Sequence, residues 1–419
     1  MATSIRCIAA WGIYLSPPAG HAARMGRTVE IPLWALVLIV LFAAVTFASH
    51  FLFPSVRWFF RRRMERVVAR LNARLERPIQ PFKLARRHDM IQRLIYDPEV
   101  SRAIADHAAE HGVPENVAFQ RARAHAREIV PSFSASLYFG VAIRLARWLS
   151  RVLYHVHVGA RDDAALRGIA RDDTVVFVMN HRSNMDYVLV TYLAAENSAL
   201  SYAVGEWARI WPLSRLIRAM GAYFIRRKSR DELYRRVLAR YLRMATDAGV
   251  TQAVFPEGGL SLSGAVGAPR LGVLKYIVEG HDPARRDVVF VPVSLNYDRV
   301  LEDRLLVRAE QTGERRFPAR ISVVLRFILR SLWLRLRGRY ARFGAAAVRF
   351  GAPVSLHGFD GDVSALADEL MGRIRANMPA LPVPLVALAF VRAGEALTRA
   401  ELEAAVARYR ATLPDNRVT

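Results

Sequence analysis

Between residues 173 and 350, short β-branched runs alternate with helical stretches, and that alternation leaves few folds open. Val288–Ser294 reads Val-Val-Phe-Val-Pro-Val-Ser, as a strand buried on both faces does. Asp173–Met179 is a second such run, followed by a predicted helix over Met185–Ala194. Ser201–Val204 reads as a short strand, Leu213–Met220 as a helix and Ala222–Arg226 as a strand. Asp231–Ala248 is a long amphipathic helix bounded by Gly249, and Gln252–Phe255 and Val348–Phe350 are further strands. The pattern predicts an α/β fold with a mixed, mostly parallel sheet flanked by helices.

Upstream the pattern changes. Leu33–Phe53 is apolar except for Thr46, Ser49 and His50. At about 1.5 Å per residue that run is long enough to cross a bilayer. Trp34 and Trp58 flank it as interfacial anchors do, and Arg57, Arg61, Arg62, Arg63 and Arg66 follow directly. Fewer arginines precede it, so the sequence predicts a membrane helix with the main body in the cytoplasm. Arg57–Arg77 continues as a basic helix, lying along the membrane surface or serving as a solvated linker. Residues 85–158 read as a small helical domain. Within it Ser134–Tyr154 is predicted to be one amphipathic helix with Leu137, Val141, Leu145, Trp148, Leu149 and Leu153 on a single face. Near the carboxyl end, helices are expected at Val363–Ala376 and Glu401–Leu413, with a buried helix at Leu381–Val391. Phe327–Tyr340 mixes Arg330, Arg335, Arg337 and Arg339 with Leu and Trp, which suits lipid, an acidic carrier or a solvated face. The boundaries that result are 1–30, a membrane helix at 31–53, a basic helix at 54–84, helices at 85–158, a catalytic domain at 159–395 and a tail at 396–419.

The net charge of +24 attracts anions such as phospholipid head groups, phosphorylated substrates, nucleic acid or an acidic carrier protein. Aromatic and basic residues are not interleaved as in nucleic-acid modules, so no specific nucleic-acid partner is expected. The single cysteine, Cys7, excludes an intrachain disulfide and argues against thiol catalysis. No spacing resembles a zinc site, and neither a metal nor a cofactor is expected.

The candidate chemistry begins just beyond the strand at 173–179, where α/β proteins place their sites. Asn180-His181-Arg182-Ser183-Asn184-Met185-Asp186-Tyr187 sets a histidine five positions before an aspartate. His181 has the side chain for a general base, and Asp186 can fix its tautomer if Ser183 and Asn184 turn the chain into a helix. No G-x-S-x-G elbow is present, so attack by an external hydroxyl is simpler than a covalent route. Three companions give the pair its meaning. Gly221-Ala222-Tyr223-Phe224-Ile225-Arg226-Arg227 ends a strand with two guanidinium groups suited to a phosphate. Phe255-Pro256-Glu257-Gly258-Gly259 offers a carboxylate and a backbone open to close approach. Val291-Pro292-Val293-Ser294 closes a strand that can line an apolar channel, and Arg270 is a possible extra phosphate contact.

These four segments, in this order, resemble the four motifs of the glycerolipid acyltransferase superfamily, and the wording around them resembles bacterial membrane-bound glycerol-3-phosphate acyltransferase. The likeness extends from about Asp97 to Val391, including Ala126-Arg127-Glu128-Ile129 and Phe350-Gly351-Ala352-Pro353. It implies an acyl transfer from acyl-CoA or acyl carrier protein to position 1 of glycerol 3-phosphate at a bacterial inner membrane. His181 would be the base and Asp186 its holder. Arg226 and Arg227 would bind the acceptor phosphate, with Arg270 as a further contact. Glu257, Gly258 and Gly259 would shape the acceptor site, and Pro292 would belong to the acyl-donor region. The chain departs from the large bacterial enzyme after Gly259, where Leu260-Ser261-Leu262-Ser263-Gly264 lacks two arginines of the family pattern. A phosphorylated lysolipid such as 1-acylglycerol 3-phosphate is therefore the alternative acceptor.

Overall fold

The structure is a computed structural model describing residues 32–159, 163–194, 198–205, 213–226, 229–282, 284–313, 330, 333–334, 336–339 and 341–414. It divides into two compact units, Met1–Arg70 and Leu71–Thr419. The described part of the first unit belongs to a 40-residue helix, Leu33–Asn72. Trp34, Val37, Leu41 and Phe42 are exposed on it, and the Arg62 guanidinium lies 4.6 Å from the Trp58 ring. Among the described residues no helix is long and apolar enough to cross a membrane. The side chains of residues 47–57 lie outside that description, and with them the last third of the expected span.

The second unit is built on an eight-stranded sheet in the order β1-β7-β6-β2-β5-β3-β4, with β8 also paired to β6. The strands are β1 His155–Val158, β2 Thr174–Met179, β3 Ser201–Val204, β4 Tyr223–Phe224, β5 Gln252–Val254, β6 Val288–Tyr297, β7 Ala345–Phe350 and β8 Val354–Ser355. β6, β2, β5, β3 and β4 are mutually parallel, while β7 and β8 run antiparallel to β6. The sheet is therefore mixed and mostly parallel, as its β-branched runs predicted.

Both faces are covered, and the two-residue side-chain period sorts the core accordingly. Val175 and Met179 of β2 join Val291, Val293 and Leu295 of β6 and Leu189 of the helix Met185–Ala194. Val176 and Val178 point the other way, with Phe290, to meet Leu274 and Leu370 of the helices Gly272–Val278 and Val363–Ala376. β6 is buried along all ten residues. Pro292 is tolerated in so central a strand because it falls between the two partners on that side. β7 pairs from Val293 onward and β8 at Val289–Phe290, so the missing N–H interrupts no ladder bond to them.

The helices Arg87–Ile95, Pro98–His111 and Glu115–Ile129 share one core with Tyr223 of β4 and with Leu233, Val237 and Tyr241 of the helix Glu232–Asp247. Asp97 caps the second of them by accepting from the Glu99 N–H, and Gly112 ends it in the left-handed conformation.

Two helical expectations need correction. Ser134–Tyr154 is not one regular helix: a turn at Ala135–Leu137 passes through a π-helical turn, Tyr138–Ala142, into the helix Ile143–Leu153. The wider turn re-phases the faces. Ala142, Ala146 and Ser150 go inward, where their small side chains admit close packing, and Val141, Leu145 and Trp148 are left exposed. The helix at Leu381–Val391 forms, over Pro382–Ala393, but only Ala389 of it is buried, and Val383, Phe390 and Val391 face outward. Phe327–Tyr340 lies outside the described residues apart from 330, 333–334 and 336–339.

Candidate active site

β2 delivers the chain to the carboxyl edge of the parallel strands, and Asn180 anchors the exit. Its Nδ2 donates to the Leu295 carbonyl at 2.9 Å and its Oδ1 accepts from the Leu295 N–H at 2.8 Å. His181 follows, 1% exposed, its ring centroid 4.4 Å from that of Phe255 and 5.3 Å from that of Tyr187. The next residues turn tightly into the helix Met185–Ala194, which brings Asp186 back beneath the histidine. His181 Nδ1 lies 2.9 Å from Asp186 Oδ2.

Asp186 is fully buried, and both its oxygens are engaged. Oδ2 also accepts from the backbone N–H groups of Arg182 at 2.7 Å and Ser183 at 3.0 Å. Oδ1 accepts from the Tyr297 hydroxyl at 2.7 Å. Burial, reinforced by the Asp186 charge, holds the Tyr297 phenol well above its ordinary pKa, so it stays a donor. With Nδ1–H directed at the carboxylate, the basic lone pair of His181 is on Nε2.

The turn is held from outside by Glu302. One of its oxygens accepts from Ser183 Oγ at 2.7 Å, and the other from the Asn184 N–H and Nδ2 at 3.1 and 3.0 Å. Arg182 reaches away to the Asn296 Oδ1 at 2.5 Å and to the Gly264 carbonyl. Neither Tyr297 nor Glu302 was singled out from sequence. Tyr297 ends β6 and Glu302 precedes the next helix, Asp303–Thr312, and nothing in their own surroundings marks them as partners of His181 or Asp186.

The third motif segment, Phe255–Gly259, forms a loop over the histidine. Glu257 Oε1 accepts the His181 N–H at 2.9 Å, Oε2 accepts the Gly267 N–H at 3.1 Å, and the Ser261 N–H donates to the His181 carbonyl at 2.8 Å. Glu257 therefore straps the loop to the backbone of His181. Burial raises its pKa above the ordinary carboxylate value, and the His181 and Gly267 N–H bonds oppose that shift. Gly258 has φ +66°, a conformation open to glycine, and the Arg270 side chain lies across it, with Cδ 2.8 Å from where a Cβ would stand. Arg270 is itself tied to the loop by its N–H bond to the Pro256 carbonyl at 2.8 Å. His181, Asp186, Glu257, Gly258 and Arg270 are thus drawn together around one loop pair, with Gly259 next in the chain.

The remaining predicted residues stand apart from this cluster. Arg226, just past β4, makes a two-pronged pair with Glu128, Nε to Oε1 at 2.9 Å and Nη2 to Oε2 at 2.6 Å. The Glu128 hydrogen bond raises its pKa further. Arg227 lies outside the described residues. Pro292 is buried within β6, opposite Val178 in β2 and against Gly351.

A neutral imidazole with one nitrogen fixed by a carboxylate can remove a proton from a hydroxyl as that hydroxyl attacks a carbonyl. The family models that the chain matches agree with acyl transfer. Residues 160–296 match a family model described as acyltransferase, and residues 331–419 one described as glycerol-3-phosphate acyltransferase C-terminal region. The chain is 29% identical over 280 residues to the glycerol-3-phosphate acyltransferase of Pseudomonas entomophila (strain L48), covering 66% of this chain and 32% of that one. It is 29% identical over 358 residues to the glycerol-3-phosphate acyltransferase of Colwellia psychrerythraea (strain 34H / ATCC BAA-681), covering 77% and 42%. The chain thus spans less than half the length of these relatives. The crystal structure of a 1-acyl-sn-glycerophosphate acyltransferase from Thermotoga maritima aligns with a TM-score of 0.35 at 18% identity, over 67% of this chain and 97% of that one. The resemblance to the glycerolipid acyltransferase superfamily, read above from four motifs, is borne out.

Proposed function

We propose that this protein transfers a fatty acyl group from acyl-CoA or acyl carrier protein to position 1 of glycerol 3-phosphate, giving lysophosphatidate. The observation that carries the reading is the His181 Nδ1 to Asp186 Oδ2 bond of 2.9 Å, buried at the end of a parallel strand inside the acyltransferase match. His181 Nε2 takes the proton of the acceptor hydroxyl as its oxygen attacks the thioester carbonyl. The tetrahedral adduct collapses by breaking the carbon–sulfur bond, and the proton passes from His181 to the departing thiolate. The thioester is a co-substrate, and the reading calls for no resident cofactor or metal.

Arg226, Arg227 and Arg270 are assigned to the acceptor phosphate, Glu257, Gly258 and Gly259 to the shape of the acceptor site, and Pro292 to the donor side. The second reading, acylation of 1-acylglycerol 3-phosphate or another phosphorylated lysolipid, draws on two features. Arg226 already carries a carboxylate partner, Glu128, and the loop after Gly259 presents Leu260–Gly264 without a cation.

The protein is further assigned to the bacterial inner membrane, its catalytic unit on the cytoplasmic side. Support comes from the exposed apolar side chains of the helix Leu33–Asn72 and the arginines that follow them. The catalytic unit adds the exposed Val141, Leu145 and Trp148, flanked by Arg144 and Arg151, a pattern suited to an interface with anionic lipid.

The test is thiol release by the detergent-purified protein from palmitoyl-CoA and palmitoyl carrier protein, with glycerol 3-phosphate or 1-acylglycerol 3-phosphate as acceptor and the lipid product identified. Lysophosphatidate from glycerol 3-phosphate is expected. Phosphatidate formed only from the lysolipid overturns the acceptor assignment, and absence of acceptor-dependent thiol release overturns the reaction.

A further inference from the structure

At the opposite edge of the sheet from His181, two loops bring together His281, Asp287 and His357. Asp287 immediately precedes β6, whose first residue pairs with the start of β2, whereas His181 follows the end of β2. The six residues of β2, at about 3.3 Å each, separate the two places by roughly 20 Å. His281 follows the helix Gly272–Val278, and His357 follows β8.

We propose that His281, Asp287 and His357 form a binding site for a divalent transition metal ion of the zinc type. Their ligand atoms all lie within 4.8 Å of one another. Ligand atoms around a tetrahedral zinc lie about 3.4 Å apart, so closure needs side-chain adjustments of up to about 1.4 Å. His357 is partly exposed and has room to make them. The imidazole rings are already adjacent, 4.9 Å between centroids and tilted by 48°.

Two independent features prepare the site. The first is His281 Nε2, which is buried and has no hydrogen-bond partner, a costly arrangement that coordination would relieve. The second is the way Asp287 is held. Its Oδ1 accepts from the Val288 N–H at 2.7 Å and the His357 N–H at 3.1 Å, and its Oδ2 from the Ser355 hydroxyl. Such outer contacts orient a ligating carboxylate. The electrostatics agree. Asp282 and Asp247 add negative charge near the site. Arg285 faces those two carboxylates, at 3.2 Å from Asp282 and 4.0 Å from Asp247. Three protein ligands and a solvent-facing fourth position suit zinc, nickel or copper better than magnesium. Such an ion would tie the end of the helix Gly272–Val278 to the β8 loop and stiffen the base of β6.

The experiment uses the full chain with a tag free of histidine, stripped by chelation and titrated with zinc against a chromophoric chelator. One equivalent is expected to bind, and His281→Ala and His357→Ala are each expected to weaken it by at least about tenfold. Zinc is expected to raise the melting temperature of the wild type but not of His357→Ala, a loop substitution that leaves the core untouched. The other paired histidines, His107 and His111, have ring centroids 4.1 Å apart and serve as the control. His107→Ala/His111→Ala is expected to bind as the wild type does. Loss of zinc in that control, or retention at wild-type affinity in both site variants, overturns the proposal.

Discussion

Replacing Tyr297 by Phe isolates one bond of the proposed machinery. The ring stays, with its packing against Tyr154 at 5.2 Å, and only the hydroxyl that donates to Asp186 Oδ1 at 2.7 Å is lost. Both residues are buried, at 2% and 0% exposure, so water does not replace the donor freely. A hydrogen bond to a charged group is worth about 1.5–3 kcal/mol. If the whole loss appears when Asp186 has to support the imidazolium form of His181, turnover falls by about 10- to 160-fold, at 1.36 kcal/mol per decade. Tyr297 is buried behind Asp186, so the loss belongs in kcat and not in the KM for acceptor. Tyr154→Phe is the companion variant. Its hydroxyl donates to the Arg299 carbonyl at 2.9 Å, and its removal should cost about 0.5–1.5 kcal/mol of stability with little change in kcat. The assay is steady-state thiol release for both variants beside urea unfolding. A Tyr297→Phe enzyme within twofold of wild-type kcat refutes the argument that this phenol positions Asp186.

Asp186→Asn should lower kcat by on the order of 10⁴-fold, because an amide no longer fixes the Nδ1–H tautomer, and His181→Ala should abolish transfer while the far-ultraviolet circular dichroism is retained. Gly258→Ala should destabilise the protein by about 1–2 kcal/mol through its φ of +66°, and displace Arg270; a melting curve that superimposes on wild type would refute this. Lys83 is buried, donating to the Ala199 and Leu200 carbonyls, and burial holds its pKa well below 10.5. Where the folded lysine has lost its proton the unfolded one still holds it, so stability should climb with rising pH in the alkaline range below 10.5, and Lys83→Met should remove that climb in urea unfolding. Leu145→Gln/Trp148→Gln should weaken binding to vesicles rich in anionic phospholipid, with unchanged thiol release in detergent; unaltered flotation with those vesicles would count against the lipid-facing role of that helix.

The parts of the site legible in the sequence are those that one continuous segment encodes. His181 and Asp186 share a turn between a β-branched strand and a helix whose start at Met185 is set by the same turn, so spacing alone places them together. Tyr297 is 111 residues from its partner Asp186. Its strand was legible as far as Ser294, but Leu295-Asn296-Tyr297 reads as an ordinary strand end, and only the β2–β6 register carries the phenol to Asp186. Glu257 shows the converse. Its segment was evident, but a carboxylate beside two glycines looks like a ligand group, whereas it serves as a strap between backbone N–H groups. The helix Ile143–Leu153 misled for a further reason. Periodicity identifies an apolar face without saying what covers it, and a π-helical turn inside the segment rotates the inward positions to Ala142, Ala146 and Ser150.

The site therefore has two halves with different physical character. Around Asp186 both oxygens accept from donors held by a strand or a tight turn, so the proposed base is fixed before any substrate arrives, which is the condition for catalysis by preorganised charge. The cations assigned to the acceptor are held differently. Arg226 must exchange or share its Glu128 partner to meet a phosphate, and Arg270 leans over Gly258 from an exposed position. Rebuilding such contacts costs binding energy without touching the base, so differences in acceptor among proteins sharing this fold are expected to arise there. That is also where this chain departs from the family wording, at Leu260–Gly264, a loop that meets the catalytic half through the Ser261 N–H on the His181 carbonyl. A change of acceptor and a change in the setting of the base are joined at that hydrogen bond and at the bond from Arg182 to the Gly264 carbonyl.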